Sequence, residues 1–254
     1  MTPIKHRVLV TGFGPFRQHT ENPSWLAVRT LHDTLVEIPA APAPAHPHRP
    51  HAPPPAPAYA HITALEVPVV YDAVLSIVPG IHAAPPVLSP DLPAAFPPPP
   101  EAGYDLIVHV GVGSAGPLRL ETFGDKTGYD LRDHEGTLAD VVTLDDGEGL
   151  QTRGFAGKRY ARLPERLQIL VDPDLLRARC EKDGVDLRPS TDAGHYLCDF
   201  ILYCSLAESQ LSRSKVPVLF VHCPPVNEPL STEEVAEGLK SIIVNALAMS
   251  TEKR

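Results

Sequence analysis

The sequence predicts an α/β fold: a single domain built on an open, mostly parallel twisted sheet with helices on both faces. Three observations carry that expectation. Short, nearly continuous apolar runs such as LIVHVGV and VLFVH have the length and composition of strands buried on both sides. These runs alternate with segments of helical period, as in sheets whose connections cross over their faces. A chain of 254 residues, 43% hydrophobic and 21% charged, carries apolar material for one sizeable core.

Taken in order, strands are expected from Arg7 to Phe13, His61 to Pro68, Leu106 to Val112, Leu118 to Thr122 and Val216 to His222. Helices are expected from Pro23 to Val36, Asp72 to Val78, Pro173 to Asp183, Ala193 to Ser209 and Thr232 to Met249. Asn22 before Pro23 supplies an N-cap followed by proline at the first helical position. Ser231 with Glu234 reads as a capping box for the last helix. No internal repeat is visible.

More than half of the 30 prolines fall in two stretches, Pro39 to Ala58 and Pro85 to Gly103. Proline fixes φ and removes a backbone donor, so neither stretch can form a helix interior or a central strand. Both read as extended or disordered surface insertions, the second with a few anchoring residues. His46, His48 and His51 in the first could meet a metal ion, but nothing there fixes ligand geometry, and a solvated linker is the better reading.

Composition excludes several function classes. A formal net charge of -9 with 22 lysines and arginines, none of them clustered, argues against a nucleic-acid surface. The N-terminal apolar run VLV is too short for a signal-peptide core or a membrane span. Cys180, Cys198, Cys204 and Cys223 are too sparse for a disulfide scaffold and form no CxxC pair. A cytoplasmic protein with reduced thiols is therefore expected.

One group of residues suggests nucleophilic chemistry, which needs a thiolate, a base to take its proton and a third group to orient the base. Cys198 lies in the helix expected to begin near Asp192, about two turns in, where the helix dipole aids ionisation only weakly. His222 ends the buried strand VPVLFVH and precedes Cys223-Pro224-Pro225, which turns the chain into a loop at the carboxyl end of the strand, where doubly wound sheets place ligands. Glu121 closes a short strand and could accept a hydrogen bond from the imidazole. From spacing alone the signal is weak, because a cysteine on an amphipathic helix is more often a small buried hydrophobe.

Six ordered segments strengthen it: VTGFGPFRQHTENPSWLAV, EVPVVYDAV, HVGVG, RLETFGDKTGYD, TDAGHYLCDFILYCSL and VHCPPVNEPLSTEEVAEGLKSII. Together they resemble the successive motifs of the pyroglutamyl peptidase I family of cysteine peptidases, and the animal type more than the bacterial. The resemblance implies removal of N-terminal pyroglutamate from peptides through a thioester, with Cys198 as nucleophile, His222 as base and Glu121 as the acid behind it. It implies substrate-binding roles for Phe13, Phe16, Asn22 and Val112; a neutral five-membered lactam calls for a mostly apolar pocket, which two phenylalanines suit. Small pyroglutamyl peptides are the expected partners, with no nucleic acid, no membrane, no metal and no cofactor, and with the oligomeric state open.

The chain departs from the family pattern in three places. His195 stands where arginine is expected, Cys223 stands where valine is usual, and the loop VGVGSAGPLRLE is one residue short before Glu121. A relative that binds blocked N-termini without cleaving them is the alternative reading. A metal site of Cys198, His222 and Cys223 is disfavoured, because adjacent strand residues point to opposite faces.

Overall fold

The computed structural model describes residues 4–16, 20–39, 58–90, 92–143 and 149–252. Its elements, in chain order, are β1 (Ile4–Phe13), α1 (Pro23–Arg29), β2 (Thr34–Ile38), β3 (Ala58–Val67), α2 (Tyr71–Ile81), β4 (Leu106–Val112), β5 (Leu118–Glu121) and β6 (Phe123–Asp125). There follow β7 (Val141–Thr143), β8 (Gln151–Arg153), β9 (Arg166–Gln168), α3 (Pro173–Lys182), β10 (Leu187–Ser190), α4 (Leu197–Leu211), β11 (Val218–Cys223) and α5 (Thr232–Glu252).

Seven strands form the central sheet in the order β10-β5-β11-β4-β1-β3-β2. The four strands β3, β1, β4 and β11 run parallel, while β2 joins β3 and β5 joins β11 in antiparallel fashion. This is the mostly parallel α/β sheet that the buried apolar runs predict. Side-chain alternation divides its two faces. Val8 and Val10 of β1, Val108 and Val110 of β4, and Leu219 and Val221 of β11 pack with α1, α3 and α5. Val218 and Phe220 face the other way and pack with α2 and α4.

Capping chemistry sets the helix starts. Asn22 accepts the Ser24 N–H at 3.1 Å, and Asp172 accepts the Leu175 N–H at 3.0 Å. Ser231 and Glu234 exchange hydrogen bonds as a capping box, at 2.8 and 3.1 Å. The helix α1 packs on the sheet with almost no gap: a Cβ at Gly12 would lie 2.9 Å from the Trp25 Cα, so glycine is required there.

The structure differs from the sequence reading in several elements. The helix expected from Pro23 to Val36 stops at Arg29, and Asp33 at φ 56° turns the chain into β2. Residues Thr34–Ile38 alternate exposed and buried with a period of two, which favours an edge strand. The short strands β6 to β10 have too few residues to show a period at all. The first proline-rich stretch lies outside the described residues between 40 and 57. The second, described except for Asp91, is neither helix nor strand but is anchored: Leu88, Leu92 and Phe96 pack over Leu9, Leu65, Ile81, Tyr104, Ile107 and Val216. Among the described residues no helix is long and apolar enough to cross a membrane.

Two histidines are buried beneath α2 and α4. His109, fully buried on β4, shares a hydrogen bond of 2.7 Å with the Thr11 hydroxyl, and His82 joins the end of α2 to Ser205 of α4, also at 2.7 Å. Burial pushes His82 down to about 4 and His109 down to about 3. An unfolded histidine takes up its proton near 6.5, so as pH falls below that value the unfolded chain gains protons that these two sites refuse. Their contribution to stability is complete above about 6.5 and is lost as pH falls towards 4 and 3, by about 1.4 kcal/mol per histidine for each pH unit. Urea unfolding between pH 6 and 4 is therefore expected to lose stability less steeply in His109→Asn than in the wild type. Equal slopes in the two proteins would contradict this account.

Candidate active site

The site is assembled where the ends of β4 and β11 meet the start of α4. Gly111 and His222 are register partners on these two parallel strands, so they lie side by side. The Cys198 Sγ packs against Gly111: a Cβ at that position would come within 2.7 Å of the sulfur and 2.8 Å of the Phe220 ring. Only a residue without a side chain leaves room for the thiol. His222, 6% exposed, has the same parity along β11 as Phe220 and contacts its ring edge-on at 4.8 Å between centroids.

Glu121 is fully buried at the end of β5, opposite Phe220 in the antiparallel pairing and diagonal to His222. Its Oε1 lies 2.7 Å from His222 Nδ1. With Nδ1–H donated to the carboxylate, the imidazole presents Nε2 as its acceptor. Glu121 Oε2 has no hydrogen-bond partner among the described residues, so the hydrogen bond to His222 is the one this carboxylate makes there.

Cys198 occupies a different place in its helix from the one expected. α4 begins at Leu197 instead of near Asp192, because Asp192 accepts the Gly194 N–H in a local turn and Gly194 takes φ 76°. Cys198 is thus in the first turn, where unpaired N–H groups and the helix dipole favour negative charge. Opposing this, burial pushes the Cys198 thiol well up, and the charges of Glu121 and Asp199 add to the effect. A thiol in this setting rests protonated and needs a base to give up its proton.

The four expected substrate-binding residues fall into distinct settings. Phe13 is buried at the end of β1 and donates its N–H to the Ser24 hydroxyl. Phe16 is half-buried and packs on Tyr196 at 5.6 Å between ring centroids. Asn22 is buried and holds the loop together, donating to the Gly14 carbonyl and accepting from Ser24 N–H and hydroxyl. Val112 ends β4, half-buried and paired with Cys223.

Sequence reasoning passed over Tyr196 and Asp199, which flank Leu197-Cys198. Tyr196 links Phe16 to Tyr71 in a row of rings, and its hydroxyl donates to the Arg132 carbonyl. Its position two residues before Cys198 was the available signal. Asp199, 2% exposed, accepts the Asp125 N–H at 3.0 Å and lies 3.5 Å from His195 Nδ1. No local pattern announces a buried carboxyl in a helix so apolar.

Two arrangements invite a metal reading. Cys223 is buried among the residues of the α1, α3 and α5 face, on the side of the sheet away from His222, so Cys198, His222 and Cys223 do not converge. Asp125, His195 and Asp199 each place a ligand atom within 4.8 Å of the others. Both Asp125 oxygens, however, are engaged by the Arg166 guanidinium at 2.7 and 3.0 Å, which supplies the positive charge that the cluster attracts.

No protein-family model matches the chain. It is 30% identical over 255 residues to the pyroglutamyl-peptidase 1 of Homo sapiens, covering 97% of this chain and 92% of that protein. The fold is similar to the crystal structure of Bacillus amyloliquefaciens pyroglutamyl peptidase I, with a TM-score of 0.65 at 20% identity over 96% of this chain and 98% of that one. It is also similar to the pyrrolidone carboxyl peptidase of Thermococcus litoralis, with a TM-score of 0.68 at 14% identity over 98% and 96%.

Burial pushes Asp199 up to about 7, against the opposing Asp125 N–H. Between the ordinary carboxyl value and 7 the folded chain holds a proton that the unfolded chain releases. The stability from this site is present below about pH 4 and is lost as pH rises through 7, by at most about 1.4 kcal/mol for each pH unit. Relative to wild type, Asp199→Asn should gain stability as pH rises from 5 to 8 in urea unfolding. A constant difference across that range would rule the assignment out.

Proposed function

The chain belongs to the pyroglutamyl peptidase I family, and we propose that it is a cysteine peptidase that removes N-terminal pyroglutamate from peptides through a Cys198-His222-Glu121 triad. The observation that carries the reading is the buried His222–Glu121 pair, set one strand away from the Gly111 niche that holds the Cys198 sulfur. His222 Nε2 takes the thiol proton, and the thiolate attacks the carbonyl carbon that follows the lactam ring. The Nδ1–H···Glu121 bond fixes the imidazole tautomer and stabilises the imidazolium as it forms.

The tetrahedral intermediate carries an oxyanion beside the first turn of α4. Tyr196, the N-cap, offers no side-chain hydrogen bond to that turn, so the N–H of Cys198 is free of an intrahelical acceptor and suited to receive the charge. His222 then protonates the departing amine, and water, deprotonated by the same imidazole, hydrolyses the thioester. The lactam, neutral and compact, suits the aromatic side of the site, where Phe16 packs on Tyr196 at the start of α4 and Phe13 belongs to the same apolar cluster. In this reading Asn22 shapes the Phe13 to Phe16 turn, and Val112 borders the site from β4. A cytoplasmic setting with reduced thiols fits a thiol nucleophile.

Purified protein is expected to release a fluorophore from a pyroglutamyl amide and not from the matching prolyl or glutamyl amide. Cys198→Ala should abolish release, and Glu121→Gln should lower kcat by on the order of a hundredfold or more, since a misoriented imidazole is a poor base. Turnover surviving in Cys198→Ala would refute the mechanism. Wild-type protein that binds the pyroglutamyl amide without turning it over would instead favour a binding relative.

A further inference from the structure

Arg119 lies on β5 as the register partner of His222, two residues before Glu121 and on the same face of the sheet. Its guanidinium crosses to the end of β4 and rests on Gly113. A Cβ at Gly113 would overlap the Arg119 Nη2, 2.1 Å away, and would lie 3.2 Å from the His222 Cβ. The absent side chain is what lets the guanidinium lie over the end of β4, on the flank of His222. Five other arginines have carboxylate partners, Arg29 with Glu21, Arg159 with Glu208, Arg166 with Asp125, Arg177 with Glu181 and Arg188 with Asp186, while Arg132 and Arg153 donate to backbone carbonyls. Among the described residues no carboxylate forms an ion pair with Arg119, although it is half-buried.

We propose that Arg119 binds a carboxylate carried by the residue that follows the lactam, and so biases the peptidase toward substrates with a negative charge there. This rests on the peptidase reading, which fixes the polarity of the site. His222 delivers a proton to the departing amine, so the residue that carries this amine lies on the His222 side, while the lactam lies toward Phe13 and Phe16. A carboxylate on that residue is only a few bonds from the amine nitrogen, within reach of a guanidinium beside the imidazole. Arginine offers two parallel N–H donors for such a group. The carboxylate can be the free α-carboxylate of a dipeptide or the side chain of aspartate or glutamate.

The test compares kcat/KM for pyroglutamyl-alanine with its amide, and for pyroglutamyl-glutamate amide with pyroglutamyl-glutamine amide, in wild type, Arg119→Gln and Arg119→Lys. The first pair reads the α-carboxylate and the second the side chain. In wild type at least one charged-to-neutral ratio should be about tenfold, as for a partly exposed charge-assisted contact. It should fall close to one in Arg119→Gln, and Arg119→Lys should keep part of it, since it retains the charge without the fork. Ratios that are the same in wild type and Arg119→Gln overturn the proposal. If wild type cleaves none of the four peptides, it is the peptidase reading that fails. Dissociation constants of the same peptides, measured on Cys198→Ala and on Cys198→Ala with Arg119→Gln, then decide the role of Arg119 by the same ratios.

Discussion

The whole site hangs on the space left by the missing side chain of Gly111. β4 and β11 run parallel, and their register sets Gly111 beside His222. The sulfur of Cys198 fills the place where a side chain on Gly111 would stand. That contact fixes how closely the start of α4 approaches the sheet. Phe220, on the same face, closes the niche from β11 and packs against the imidazole. A larger residue at 111 would push away the helix that carries Cys198, and in the proposed reaction misplacement by about 1 Å can cost on the order of a hundredfold in rate.

Electrostatics at the niche are balanced between two opposing effects. Burial, and after it the Glu121 carboxylate, raise the Cys198 thiol, whereas the first turn of α4 favours the thiolate. Glu121 is buried with one oxygen on His222 and the other without a partner among the described residues, so the pair is held together away from water. In the proposed mechanism the reactive state is a pair of charges formed together by proton transfer.

The two faces of the sheet divide the work. One packs aliphatic residues of β1, β4 and β11 against α1, α3 and α5 and carries Cys223 as an ordinary core residue. The other combines α2 and α4 with an aromatic cluster and the polar groups His82, His109 and Asp199. Where those helices do not reach, the proline-rich segment after α2 supplies Leu88, Leu92 and Phe96 as a cover. Proline excludes regular structure but not packing, and so a stretch that reads as an appendage contributes to the core.

The sequence by itself determined the fold class and the identities of Cys198, His222 and Glu121 as candidates, because buried parallel strands and ordered motifs are written in contiguous residues. It also marked the capping residues, whose effect is local. Contacts between distant segments needed the tertiary structure: the diagonal from Glu121 to His222, the fit of Cys198 on Gly111, the row from Phe16 through Tyr196 to Tyr71, and the reach of Arg119 over Gly113. The start of α4 fell on the same side of that line. A helix buried on nearly every side has no clear period to mark its first turn, and only the Asp192 to Gly194 turn placed Cys198 within it.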